Sequence, residues 1–150
     1  MITGYFTNPV NSSRVAGFVE ELKASCPDME IVGVQGCFDE AEDAERIILH
    51  TLQTIPDLDG IFMVSGGQAG IKKAFDDLDL EKRPYVVVYD QTPRNEKALR
   101  EDTVDFLIDQ NGYVQGYRPP FILADLIQKN QQPEEELLLT DINIKTKYNL

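Results

Sequence analysis

Within residues 1–90, short uninterrupted apolar runs alternate with segments of helical apolar spacing, and no other property of the chain constrains its fold as strongly. A strand that is apolar throughout, rather than at every second residue, is buried on both faces. That happens in a parallel sheet covered by helices on each side. The expected architecture is therefore α/β, a doubly wound, Rossmann-like parallel sheet with helices on both faces.

The first unit is a strand from Ile2 to Thr7, broken by Pro9. Asn11, Ser12 and Ser13 then offer side-chain oxygens to cap a helix in which Val15, Phe18, Val19 and Leu22 form a core-facing stripe. The second unit has a strand from Glu30 to Gln35, a turn at Gly36 and Asp39 as N-cap. Its helix places Ala44, Ile47, Ile48 and Leu52 on one face and ends at Pro56. The third runs from Gly60 to Val64, turns at Ser65-Gly66-Gly67, and continues into a helix carrying Ile71, Ala74, Phe75 and Leu78. Tyr85 to Tyr89 is a fourth apolar strand, closed by Asp90.

Beyond Asp90 the pattern gives a polar helix between Thr92 and Asp102, a strand from Val104 to Asp109 and a helix within Asn111 to Lys129. An extended run follows from Leu137 to Tyr148. Pro119 and Pro120 predict that the long helix is kinked, or begins only at Pro119, because proline removes a donor and clashes with the preceding turn.

The 150 residues, 42% of them hydrophobic, suffice for one core. Fourteen basic against twenty-six acidic side chains leave a net charge of −12, which repels phosphate backbones and anionic lipid, so direct nucleic-acid or membrane binding is not expected. Cys26 and Cys37 have neither redox nor metal-knuckle spacing and read as packing residues in a reduced, cytoplasmic setting. The first residues carry no basic, apolar leader pattern, and no run of about 20 apolar residues occurs, so neither export nor membrane insertion is expected. His50 stands alone within a helix, and the acidic groups Asp39–Asp43 and Glu134–Glu136 read as solvated charge rather than a metal site.

In an open parallel sheet, ligands bind beyond the carboxyl ends of the strands, where loops and helix N-termini gather. Here those positions are Asn8, Phe38, Ser65 to Gln68, Asp90 and Gln110. They combine amide, carboxylate, hydroxyl and aromatic groups, a set suited to holding a neutral polyhydroxylated molecule rather than breaking bonds. Ser65-Gly66-Gly67-Gln68 lacks the lysine of a P-loop and the GxGxxG of a dinucleotide site, so it reads first as a plain tight turn or a ligand contact, with a phosphate cradle as the lesser alternative. Asp90 either caps the next helix or accepts from a ligand hydroxyl. With no nucleophile-and-base pair, metal cluster or cofactor fingerprint in the sequence, neither an enzyme nor a bound cofactor is expected.

Three short patterns, in order along the chain, resemble the LacI family of bacterial transcription regulators. Arg14-Val15-Ala16-Gly17-Phe18 is similar to its R-x-x-G-F/W helix start, and Val88-Tyr89-Asp90 to its strand-ending Y-D. Ile108-Asp109-Gln110 with Gln115-Gly116 resembles its Q-x-x-x-x-Q-G segment. The resemblance implies one lobe of a periplasmic-binding-protein-like fold that binds a small effector, a sugar. It also implies a homodimer that reaches DNA only through an N-terminal helix-turn-helix not contained in these residues. The ligand residues it implies are Arg14 on sugar hydroxyls, Phe38 against the sugar ring, Asp90 as acceptor and Gln110 at the hinge edge. Asn8, Gly66, Gly67 and Gln68 complete the set.

Two departures stand out: Gly66-Gly67 replaces the family's Asn-Asp, and Pro119-Pro120 interrupts the helix after Gln110. The resemblance divides the chain into residues 1–90 and 134–150 in a C-terminal lobe, with 91–133 crossing the hinge and returning. A sugar-binding component of a transporter is the alternative parent, and an α/β enzyme a more distant one.

Overall fold

The computed structural model describes residues 1–78, 80 and 82–150. The chain enters through a short strand β1 (Ile2–Thr3), then helix α1 (Pro9–Ser25), strand β2 (Gln35–Gly36) and helix α2 (Ala41–Thr54). Strand β3 (Gly60–Met63), helix α3 (Ala69–Asp76), strand β4 (Tyr85–Tyr89), helix α4 (Pro93–Arg100) and strand β5 (Phe106–Asp109) follow. Helix α5 (Gly112–Lys129) and strand β6 (Asn143–Lys145) close the chain. The strands form one sheet in the order β2-β1-β3-β4-β5-β6. β1 to β5 run parallel, as the apolar runs required, and β6 is antiparallel to β5, pairing Leu107 with Lys145 and Asp109 with Asn143. The architecture is an open, mostly parallel α/β sheet with helices on both faces.

Register fixes which side chains form the core. Ile61 pairs with Val86 and Met63 with Val88, and Val88 with Leu107, so these residues share one face of the sheet. They are buried there with Ala44, Ile47, Ile48 and Leu52 of α2 and with Ile71 and Ala74 of α3, the stripes expected for both helices. Leu99 of α4 joins the same cluster. The opposite face carries Phe62, Val87, Tyr89 and Phe106. α1 covers only part of it: Phe18 stacks on Phe62 at 4.4 Å, while Phe106 is 40% exposed. The α1 stripe therefore faces the sheet as expected, yet Val15, Phe18, Val19 and Leu22 are only half-buried.

Several local expectations are corrected. α1 begins at Pro9, not after Asn11-Ser12-Ser13. Asn8 is its N-cap, with Oδ1 accepting from the Val10 N–H at 2.9 Å, and proline at the first helical position sacrifices only a donor that had no helical partner. Residues 30–34 do not pair, so β2 is confined to Gln35–Gly36, and Gly36 lies in the strand rather than at a turn. Asp39 is not a helix cap; Glu40 occupies that position without a side-chain cap bond. α4 is capped by Thr92, whose hydroxyl accepts from the Asn95 N–H, so Asp90 is released from that role. α5 runs through Pro119 and Pro120 instead of beginning there. It buries none of its residues, and Tyr113, Tyr117 and Phe121 stack along it while more than half exposed.

One ion pair ties the amino ends of β4 and β5 together. Arg83 donates to both carboxylate oxygens of Asp105 at 2.7 and 2.8 Å, and Oδ2 also accepts from the Val86 N–H at 2.7 Å. Burial alone would push the Asp105 carboxyl up, but the Arg83 and Val86 hydrogen bonds and the Arg83 charge outweigh it and hold it below the ordinary carboxylate value. A lowered folded-state pKa stabilises the protein above the unfolded-state pKa of about 3.9 and loses that contribution as pH falls through the folded value. Asp105→Ala is expected to cost about 2 kcal/mol at neutral pH, a figure already discounted for partial solvent access. The gap to wild type should narrow progressively below about pH 4. Urea unfolding of both proteins at neutral and acid pH measures this, and a gap independent of pH would count against the ion pair.

Candidate functional site

Because β1 to β5 are parallel, their carboxyl ends share one edge, and the strand order reverses between β1 and β3. The sequence-predicted ligand residues lie along this edge in two groups.

At the ends of β4 and β5, Asp90 and Gln110 meet directly: Gln110 Nε2 donates to Asp90 Oδ1 at 2.6 Å. Asp90 adopts a positive φ of 73°, a conformation that aspartate tolerates better than most residues. The Asn95 amide donates to the carbonyls of both Tyr89 and Asp90, fixing the turn. The Gln110 carbonyl accepts from Gln115 Nε2 at 2.7 Å and from the Thr140 hydroxyl at 2.9 Å, so the start of α5 and the returning chain are tied to the same point. Asp90, Gln91, Glu96, Gln110, Asn111 and Tyr113 line an open hollow over this pair. The sequence reading included neither Asn95 nor Thr140. Both act through bonds to main-chain carbonyls, which periodicity does not reveal.

Arg14 reaches the edge from α1. Its Nη1 donates to the Val64 carbonyl at 2.8 Å, and its guanidinium lies 4.0 Å from the centre of the Tyr89 ring. This cation–π contact steadies the arginine beside β4 and leaves its remaining donors for other partners. Burial pushes the Tyr89 phenol up, an effect the Arg14 charge opposes and the Asp90 charge reinforces.

At the ends of β1, β2 and β3, Phe38 packs edge-on against Tyr5 at 5.5 Å, and each ring is about half exposed. Ser65 Oγ accepts from the Gly4 N–H at 2.6 Å. Gln68 Nε2 donates to the Ser65 carbonyl at 2.7 Å and so braces its own turn. The Gly66 N–H donates to Asp39 Oδ1 at 2.8 Å, so it is not free for a ligand. Gly67 has a φ of 91°, and a Cβ there would meet Cys37 Sγ at 3.0 Å and the Glu40 carbonyl at 3.2 Å, which explains glycine at this position. Cys37 is fully buried, and that burial pushes its thiol up, consistent with a packing residue. The Asn8 side-chain oxygen serves the α1 cap, accepting from the Val10 N–H.

Asp39 is the residue that the sequence reading misplaced. Its position immediately before a helix suggested a local cap, and its carboxylate instead spans to a loop 27 residues away. Among the described residues no cluster of three or more His, Cys, Asp or Glu side chains is placed to hold a metal, and no helix is long and apolar enough to cross a membrane.

Residues 1–131 match the family described as periplasmic binding protein domain, and the chain belongs to it. Similar solved structures include a glucose-galactose binding protein from Geobacillus stearothermophilus, 21% identical with a TM-score of 0.86, which this chain covers over 52% of that protein while 99% of its own length is aligned. An ABC transporter solute binding protein from Burkholderia graminis in complex with D-arabinose is 26% identical, TM-score 0.85, with 99% of this chain and 52% of that one covered. A periplasmic solute binding protein from Actinobacillus succinogenes with bound D-allose is 22% identical, TM-score 0.86, with the same coverage of 99% and 52%. The chain thus spans about half the length of these structures. All three are named as binding proteins, and none of the three as a DNA-binding regulator, so the family is established at the level of the periplasmic-binding-protein domain. No curated protein sequence matches the chain.

Proposed function

We propose that this chain is the sugar-binding C-terminal lobe of a two-lobed periplasmic-binding-protein-like protein, a binder and not an enzyme. The Asp90–Gln110 pair at the carboxyl edge of the sheet carries this reading. It presents a carboxylate and an amide, held together at 2.6 Å, to a hollow that the exposed Tyr113 ring also lines, while the Arg14 guanidinium lies over Tyr89, the residue before Asp90. Hydroxyls donate to carboxylates and accept from guanidinium and amide groups, and the apolar face of a sugar ring packs on an aromatic. Asn8, Arg14, Phe38, Gly66, Gly67, Gln68, Asp90 and Gln110 remain the proposed ligand edge. In this proposal Gly66 and Gly67 shape the loop and Asn8 caps α1. The unburied aromatic side of α5 is the surface that a second lobe covers.

Two parents fit such a lobe. The motifs around Arg14, Asp90 and Gln110 favour a cytoplasmic LacI-type regulator, a homodimer that couples sugar binding to DNA through a separate N-terminal helix-turn-helix. The solved neighbours, named as sugar and solute binding proteins, favour the sugar-binding component of a transporter equally well. In either parent, ligand shifts the lobes only by its differential affinity for their open and closed arrangements.

The size and compartment of the native polypeptide carrying this sequence test the proposal. A species about twice this mass, stabilised against heat by a monosaccharide, is expected. Recovery on DNA from the cytoplasm identifies the regulator, and recovery outside the cytoplasm identifies the transport protein. A species of this mass whose melting no sugar shifts would overturn the two-lobed sugar-binding reading.

A further inference from the structure

We propose that Asp39 is a positioning residue of this ligand edge, locking the Gly66 loop and the Phe38 ring in place through its carboxylate rather than through its charge toward the ligand. The proposal rests on the sugar-binding reading and adds a residue to it.

Phe38 and Asp39 are consecutive non-glycine residues with positive φ, 54° and 63°. That conformation is costly for side chains bearing a Cβ and persists only where the surroundings impose it. The surroundings here are two glycines. Asp39 Oδ1 accepts from the Gly66 N–H at 2.8 Å, and a Cβ on Gly66 would lie 2.7 Å from Asp39 Cβ. A Cβ on Gly4 would overlap the same carboxylate. Gly4 in turn donates to Ser65, so the ends of β1 and β3 close around Asp39 from both sides. The turn that seats the carboxylate also carries the Phe38 ring out to Tyr5, where it stands exposed. One side chain thereby couples the loop that replaces the expected Asn-Asp pair to the aromatic wall of the edge.

Two variants separate this role from simple folding, because both tolerate a positive φ. Asp39→Asn keeps an oxygen able to accept from Gly66, whereas Asp39→Gly removes the acceptor and relieves the backbone. The native two-lobed polypeptide carrying this sequence and its two variants are titrated by NMR with D-arabinose, D-allose and D-glucose, at a temperature where all three proteins are folded. Asp39→Asn should bind the preferred sugar within about twofold of wild type, and Asp39→Gly roughly tenfold more weakly, the loss of one well-placed hydrogen bond. In Asp39→Gly alone, the Gly66 amide should exchange about tenfold faster and the ring-current shifts between Tyr5 and Phe38 should collapse. Equal affinity and equal Gly66 exchange in wild type and Asp39→Gly would overturn the proposal. So would an Asp39→Asn protein as weak as Asp39→Gly, because the charge would then be meeting the sugar itself. If wild type binds none of the three sugars, the sugar reading is what loses support, and the Gly66 and Phe38 signals still decide whether Asp39 holds the edge.

Discussion

Asp90→Ala is expected to weaken sugar binding by roughly a hundredfold or more, while the thermal midpoint of the free protein falls by only a few degrees, the cost of alanine at a positive φ. The Asp90 carboxylate stands at the end of β4 with one oxygen accepting from Gln110. Among the described residues its second oxygen has no donor. Each hydrogen bond from a sugar hydroxyl to a charged acceptor is worth about 1.5–3 kcal/mol, so losing one or two, and with them the anchor for Gln110, accounts for the size of the effect. Asp90→Asn keeps the tolerance of positive φ and an oxygen for Gln110 but removes the charge. It should fall between wild type and the alanine variant. Calorimetric titration of the three proteins with the preferred sugar measures the series, and an alanine variant that binds as tightly as wild type would remove Asp90 from the site.

Gly70→Ala is expected to be the most damaging single-methyl change in the fold, costing about 3 kcal/mol, the upper range for overpacking a close contact. Gly70 sits at the start of α3 where that helix crosses α2. A Cβ there would overlap the Ala41 carbonyl and come within 2.6 Å of the Glu45 N–H. Both obstacles are backbone, so no rotamer change relieves them, and α2 and α3 would have to separate over the core shared by Ile48 and Ile71. For a domain of this size the thermal midpoint should drop by about 6–12 °C. An unchanged midpoint would mean that the helices part more easily than their packing implies.

Much of the fold was legible because β3, β4 and β5 are continuous apolar runs and α2 and α3 carry clean helical stripes, signals that burial imposes on sequence. What could not be read locally was decided elsewhere. The run from Glu30 to Gln35 looked like a full strand, but at the sheet edge it meets only a two-residue β1, and most of it has nothing to pair with. Pro9 after a β-prone run reads as a breaker, although at the first turn of a helix it is a starter. In the site, Asp90 and Gln110 were identifiable because both close apolar strands. Asp39 was not, because a side chain of capping type beside a helix gave no hint that its partner lies in the next loop.

The last strand, β6, forms one margin of the sheet, and Ile144 on it is 62% exposed. A free edge with apolar side chains is a template on which other polypeptides can add strands and build fibrous aggregates. Here the template is only three residues long, with Lys145 as its last residue and Lys147 just beyond it. Those two lysines act as gatekeepers against self-association, and Lys147 is in addition fastened to the fold by an ion pair with Asp102 at 2.6 Å.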